Sequence, residues 1–264
     1  MNRWIPTRRS YTEMKHEIQE PLELPAAYEL VALDDSSNAL EATVQLARQG
    51  GTEGTLVWTT QQLPGDFRPG KTWYSPDQGL YLALILEPEF APEAAGQIAL
   101  IGLLSMGMAI AEAVVPMTDL RYRWPNDLLL SGSKVGGVSL RRNLEEGWLV
   151  LGVSVNVGKE PAEVIDAGCV QVEGGNPELT PAALLQSFAR EFLHWINRWD
   201  EEGLPAILGA MRGRWGVPGE SVLVELDEDE TLAGALQDVD EEGQLVVETA
   251  TGPRRIALNE FFGL

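Results

Sequence analysis

The stretch RYRWPNDLLLSGSKVGGV, residues 121–138, packs an aromatic, a rigid turn, a carboxylate, a single lysine and paired glycines into a short run. It reads as strands at 120–124, 128–130 and 135–141, with Pro125-Asn126-Asp127 and Ser131-Gly132-Ser133 as the turns between them. A further strand at 148–157 follows the turn Asn143 to Gly147. Gly136 and Gly137 leave a strand without side chains, which a bare hairpin does not favour, so a flat group is expected against that backbone. Two accounts of these residues stand side by side. In one, the segment is a turn, a solvated lysine and a bulge; in the other, it is the wall of a ligand pocket.

Working outward, 29–33 reads as a strand, 34–37 as a turn and 38–49 as a helix with Leu40, Val44 and Ala47 on one face and Gly50 as its stop. A strand at 55–60 leads into a polar loop carrying Pro64, Gly65, Pro69, Gly70 and Pro76. LYLALIL, 80–86, is apolar throughout and reads as a strand covered on both faces. A long helix is expected over 92–115. A second spans 180–202, capped by Thr180 with Pro181 at its first position, and Leu184, Phe188, Phe192 and Trp195 form its apolar stripe. A shorter helix after Gly203 runs to Trp215, and 216–219 reads as a linker. Short strands at 221–226, 232–239, 245–249 and 255–258 are expected to close as a small barrel of SH3 type. The fold class is therefore α+β: a mixed, mostly antiparallel sheet with helices packed on one side, and a small β domain after it. The expected division is an extension at 1–27, a main domain at 28–216 and a terminal domain at 217–264.

Nineteen Lys and Arg against forty Asp and Glu give a formal charge of −21, a field that repels phosphate backbones, so a nucleic-acid partner is not expected. One cysteine, Cys169, excludes an internal disulfide and a cysteine zinc cluster. The first fifteen residues hold no apolar core of a signal peptide, and the apolar run 98–115 is broken by glycines, Ser105 and Glu112 and falls short of a membrane span. A cytoplasmic protein without a membrane segment is the expectation. The only histidines are His16 and His194, so histidine-pair metal sites and Ser-His catalysis lose their basis.

GDFRPGKT, 65–72, matches the phosphate-loop expression G-x-x-x-x-G-K-T. A true phosphate loop must open a helix, yet Thr72 is followed by Trp-Tyr-Ser-Pro, and Pro76 obstructs a helix there. A surface loop and an anion cradle of another kind are the alternatives, and the glycines with Arg68 and Lys71 suit the cradle.

Trp124-Pro125-Asn126-Asp127 followed by Lys134-Val135-Gly136-Gly137-Val138 resembles the W-P-N-D and K-x-x-G-[IV] signature of biotin protein ligases. Three more stretches agree in family order. Asp35-Ser36-Ser37-Asn38 resembles the D-S-T-N turn, 62–73 resembles the loop Q-x-x-G-R-G-R-x-G-R-x-W, and GVSVN at 152–156 resembles G-x-G-x-N. The likeness covers roughly 29–258, and the leading DNA-binding domain of the bifunctional members has no counterpart in residues 1–27. The resemblance implies a class II synthetase-like catalytic domain, ATP and Mg2+ as cofactors, and biotin as substrate. It also implies a biotin carboxyl carrier protein as partner, and it allows a homodimer through an edge strand.

Carried over by position, the resemblance implies that Ser36, Ser37, Asn38 and Gln62 hold biotin's ureido ring, with Trp124, Gly136 and Gly137 completing that pocket. Lys134 would bridge the biotin carboxylate and the α-phosphate. Arg68 and Lys71 would close over the adenylate, Trp73 would flank the nucleotide and Asn156 would read adenine. Asn126 and Asp127 would orient phosphates, with Asp127 on the metal. The chemistry asks for these types: two anionic reactants need fixed positive charge between them, and a labile mixed anhydride needs a lid, for which the segment 64–76 is placed. Arg141 and Arg142 are candidates for carrier docking in so acidic a chain.

One departure stands out. Asp66 and Phe67 replace the first arginine and the next glycine of the family loop. Asp66 could point away, weaken the hold on the adenylate, or mark a drift from ligation to a non-catalytic binding regulator. A lipoyl or octanoyl transferase, working through a cysteine thioester, is the competing enzyme, with Cys169 as its sole candidate nucleophile.

Overall fold

The computed structural model describes residues 22–33, 38–68, 71–226 and 230–264, with the backbone alone at 66–68 and 71. Strand β1 (Glu29–Ala32) precedes α1 (Ala39–Arg48), β2 (Thr55–Thr59), the hairpin strands β3 (Gly65–Arg68) and β4 (Lys71–Trp73), and β5 (Leu80–Leu86). A 3-10 turn at Pro92–Ala94 leads to α2 (Gln97–Ala111), after which come β6 (Leu120–Arg123), β7 (Asp127–Leu130), β8 (Ser133–Asn143) and β9 (Trp148–Val155). Helices α3 (Pro181–Glu202) and α4 (Leu204–Met211) precede β10 (Ser221–Glu225), β11 (Thr231–Val239), β12 (Leu245–Thr249), β13 (Gly252–Ile256) and the terminal α5 (Leu258–Phe262).

Seven strands form one sheet in the order β1-β2-β5-β9-β8-β7-β6. Only β1 and β2 run parallel, because α1 carries the chain back over the sheet between them; the other neighbours are antiparallel. The central pair β5 and β9 is buried along nearly its whole length, since both faces of the sheet are covered. On one face Gly102 of α2 lies so close to Leu151 that an added Cβ would sit 2.9 Å from its side chain. On the other, a Cβ at Gly152 would meet Ser139 and Leu40 of α1 at 2.7 and 3.0 Å. Successive residues point to opposite faces, so helices flank the sheet on both sides rather than packing on one.

Helix α2 is apolar around its whole circumference because the sheet lies on one side of it and α3 and α4 on the other. The helical stretch Pro92–Ala111 does reach 20 residues and the hydropathy of a membrane span, but most of it is buried inside the protein, as a core helix is. The expected helix over 92–115 thus starts later and stops at Ala111. Gly96 at its N-terminus offers no capping side chain, and Asn259 of α5 supplies one, accepting from the Gly96 amide at 2.8 Å while donating to the Pro92 carbonyl at 3.2 Å.

The terminal strands form a four-stranded antiparallel sheet, β10-β11-β12-β13, and α5 follows where the sequence reads as the end of a strand. Leu236, Leu245, Val247, Ile256, Phe261 and Phe262 join the same continuous core as the large sheet. Trp124 pins the two parts together: its indole N–H donates to the Gly243 carbonyl at 2.9 Å and its ring meets Phe261 edge-on.

Two substitutions measure these attachments. Phe188→Ala, at a fully buried position stacked on Phe192, should lower the unfolding free energy by about 3–5 kcal/mol. Asn259→Ala should lower it by about 1 kcal/mol through loss of the cap. Urea denaturation of both variants checks the sizes and their order.

Candidate active site

The β6–β7 hairpin turns through Trp124-Pro125-Asn126, with a cis peptide before Pro125, and its register sets Arg123 directly opposite Asp127. Arg123 Nε and Nη2 both donate to Asp127 Oδ2, at 2.9 and 2.6 Å. The ammonium of Lys134, at the start of β8, sits 2.6 Å from the other oxygen, Asp127 Oδ1. One largely buried carboxylate therefore holds two cations. Burial alone would raise its pKa; the charges of Lys134 and then Arg123, with hydrogen bonds from both, outweigh that and hold it below the usual carboxylate range.

Lys134 also lies 5.3 Å from the centre of the Trp73 ring. Trp73 ends the β3–β4 hairpin, which approaches β8 and has no helix after it. No helix follows 65–72, which agrees with the rejection of a phosphate loop on account of Pro76. Gly65 packs against the Asn38 side chain, whose amide nitrogen would lie 2.4 Å from an added Cβ and would have to move aside.

Trp73 divides two hollows. The larger, about 1060 Å3, opens between the β6–β7 hairpin and β10, and Asn126, Asp127, Lys134, Trp124 and Trp215 lie along its wall. The smaller is a constricted niche of about 10 Å3 bounded by Asn38, Gln62, Gly65, Tyr81 and Ser154. Expected biotin residues Asn38 and Gln62 thus fall in the niche, and expected nucleotide residues Asn126 and Asp127 in the cleft, with Trp73 touching both. Trp124 is on the cleft side with its N–H committed to Gly243, apart from the niche to which the resemblance assigned it.

Local bonds show what each side chain already does. Gln62 Oε1 accepts from the Ala39 amide at 2.9 Å and its Nε2 donates to Ser75 at 3.0 Å, fixing the start of α1. Asn38 caps that helix by accepting from the Glu41 amide at 3.2 Å. Asn126 donates to the Val138 carbonyl at 3.1 Å. Asn156 donates to Gly168 at 3.0 Å, while its Oδ1 is buried with no partner, an acceptor left for a donor from outside. Gly136 and Gly137 border neither hollow. A Cβ at Gly136 would crowd the Ser154 carbonyl at 3.0 Å, so this glycine serves the close β8–β9 crossing.

Ser36 and Ser37 lie outside the described residues, and so do the side chains of Asp66, Arg68 and Lys71. Asp127 does not fit the role of resident metal ligand: both its oxygens are engaged by cations, and no cluster of three metal-binding side chains occurs among the described residues. Cys169 is fully buried, and desolvation first, with nearby Glu160 and Glu173, pushes its thiol up, the reverse of an activated nucleophile. His194 is exposed on α3 beside Trp195. Arg142 is tied to the Pro92 carbonyl at 2.9 Å, which commits it to the fold. Sequence reading assigned no role to Arg123, although its place four residues before Asp127 across a Pro-containing turn was visible.

A cleft walled by a carboxylate-held lysine, with a constricted niche behind Trp73, suits a site where two anionic reactants meet. The chain matches the Biotin/lipoate A/B protein ligase family over residues 24–213 and the Biotin protein ligase C terminal domain over 219–262, and it belongs to this family. It is 29% identical to the biotin–[acetyl-CoA-carboxylase] ligase of Paracoccus denitrificans over 89% of this chain and 100% of that one. With the bifunctional ligase/repressor BirA of Escherichia coli it shares 26% identity over 88% of this chain and 76% of the relative. In fold it is similar to the biotin protein ligase of Aquifex aeolicus in complex with biotin and ATP, with a TM-score of 0.72 at 22% identity over 87% and 95% of the two chains.

Asp127→Asn should show the charge cluster in a stability–pH profile. Because the folded carboxyl titrates lower than the unfolded one, its contribution is complete above the unfolded value of about 3.9 and is lost as pH falls through the folded value. The gap in urea midpoint between native protein and variant should be widest near neutral pH and shrink below about pH 4; a gap independent of pH would contradict the assignment.

Proposed function

We propose that the protein is an ATP-dependent biotin protein ligase, and the observation that carries this reading is Lys134 in the wall of the cleft, clamped by Asp127 and set against Trp73, the residue that borders both hollows. Biotin enters with its ring at the niche by Asn38, Gln62, Ser36 and Ser37, which must widen from its 10 Å3 as the β3–β4 hairpin moves, and its carboxylate reaches Trp73 and Lys134. The phosphates of ATP occupy the cleft with the α-phosphate at Lys134, and adenine is assigned to the Asn156 acceptor, which is buried and borders neither hollow until the site opens. A carboxylate oxygen of biotin forms a bond to the α-phosphorus while the bond to the β-bridging oxygen breaks, and pyrophosphate leaves. Lys134 neutralises charge where the two anions meet. The β3–β4 hairpin with Arg68 and Lys71 closes over the mixed anhydride and excludes water. The amine of a carrier lysine then attacks the acyl carbon, AMP departs with the bonding pair, and the amine loses a proton. Magnesium is read as arriving on the nucleotide, and no step is assigned to it through Asp127.

Residues 28–216 carry this chemistry and 217–264 close the cleft from the far side. The macromolecular substrate is a biotin carboxyl carrier protein, and the reaction is placed in the cytoplasm. The burial and raised thiol of Cys169 argue against a cysteine-thioester transferase.

Incubation with ATP, magnesium and one acid at a time tests the reading: pyrophosphate release should depend on biotin and not on octanoate or lipoate. Binding of biotin without release under any condition would favour the regulator instead. Lys134→Ala should slow adenylate formation at least about tenfold, equivalent to about 1.4 kcal/mol of transition-state stabilisation. Cys169→Ser should leave turnover within about twofold of native, and loss of activity there would revive the transferase.

A further inference from the structure

Resting on the ligase reading, we propose that Arg123, with Arg121 beyond it, forms a rail that binds the β- and γ-phosphates of ATP and holds the departing pyrophosphate. Strand β6 alternates buried and exposed residues, so Arg121 and Arg123 share its exposed face, and both border the large cleft. Two residues along a strand span about 7 Å, a separation that an extended polyphosphate bridges. Lys134 and Arg123 hold opposite oxygens of one carboxylate, so their cationic heads flank it, and Arg121 lies two residues along β6 with its Nε held by Asp119.

The bonding leaves both arginines with donors to spare. Arg123 spends Nε and Nη2 on Asp127 Oδ2, which fixes the guanidinium plane, while Nη1 has no partner among the described residues. Arg121 bonds both oxygens of Asp119 through Nε alone, at 3.1 and 2.9 Å. Arg123's side chain is 58% exposed while that of Asp127 is 12% exposed, so the pair steadies a buried carboxylate and still leaves an edge of the guanidinium open to the cleft. Two cations on β6 and Lys134 on β8 face two carboxylates, Asp119 and Asp127, so the cluster keeps a positive excess in a chain of charge −21. The planar fork of arginine suits phosphate oxygens, and a lysine in its place would bind as a point charge.

The rail fits the chemistry of the first half-reaction, in which negative charge grows on the leaving group as the bond to the α-phosphorus breaks. It has no part in the second, because pyrophosphate has gone before the carrier amine attacks.

The test compares native protein, Arg123→Ala, Arg123→Lys and, as a remote control, Arg190→Ala on α3. Expected for Arg123→Ala is a rise of at least about tenfold in KM for ATP in biotin-dependent pyrophosphate release. The lysine variant should recover part of the loss, the KM for biotin should stay within about twofold, and Arg190→Ala should behave as native. Inorganic pyrophosphate should raise the thermal midpoint of native protein more than that of Arg123→Ala. Transfer from supplied biotinyl-adenylate separates substrate binding from a purely structural role: an equal loss in both half-reactions overturns the rail, and so does an unchanged KM for ATP. Absence of biotin-dependent release in the native protein would instead overturn the ligase reading on which the rail rests.

Discussion

Asp127 is the point on which the site is assembled. Its carboxylate is mostly buried, and a lone charge there would be costly, but two cations reach it from neighbouring strands and keep it ionised. The tight β6–β7 turn puts Arg123 opposite it, and the β7–β8 pairing brings Lys134 to its other side. The cost of burying Asp127 is thus offset by the same contacts that aim the lysine. Trp73, lying over that ammonium from the β3–β4 hairpin, couples the cluster to the segment read as a lid.

Everything else in the fold keeps this hairpin still. Trp124 lies in its turn and is clasped by Gly243 and Phe261 from the terminal unit, while the Tyr122 amide donates to the Arg214 carbonyl at 2.8 Å. The terminal helix α5 in turn caps α2, the helix that packs beneath the sheet carrying the hairpin. The small terminal sheet is therefore part of one core and one cleft rather than a separate appendage.

Much of this was legible in the sequence. The apolar run 80–86 could only be a strand covered on both sides, Thr180-Pro181 marked the start of α3, and the turn residues of 121–138 placed three strands close to where they are. What escaped reading depended on distant residues. Helix α5 carries no sequence assignment beyond Leu258 because its burial is supplied by the α2 end of the molecule, and the cover of both sheet faces shows only in the packing of Leu151 against Gly102 of α2 and of Gly152 against Leu40 of α1. At the site, the resemblance pointed to residues that the structure brings to the cleft, Lys134 and Asp127, and to the niche, Gln62, yet it grouped Trp124 with the niche because an aromatic beside a turn gives no sign of which cavity it faces. Arg123 was passed over because its pairing with Asp127 exists only once the turn is closed.

The measurement that bears most directly on this account is a crystal structure with biotin and a non-hydrolysable ATP analogue bound. The account predicts the biotin carboxylate and the α-phosphate both within hydrogen-bonding distance of Lys134 Nζ, with the bicyclic ring in the niche beside Gln62 on the other side of Trp73. A nucleotide seated away from the β6–β7 hairpin, with Lys134 still turned wholly to Asp127, would contradict it.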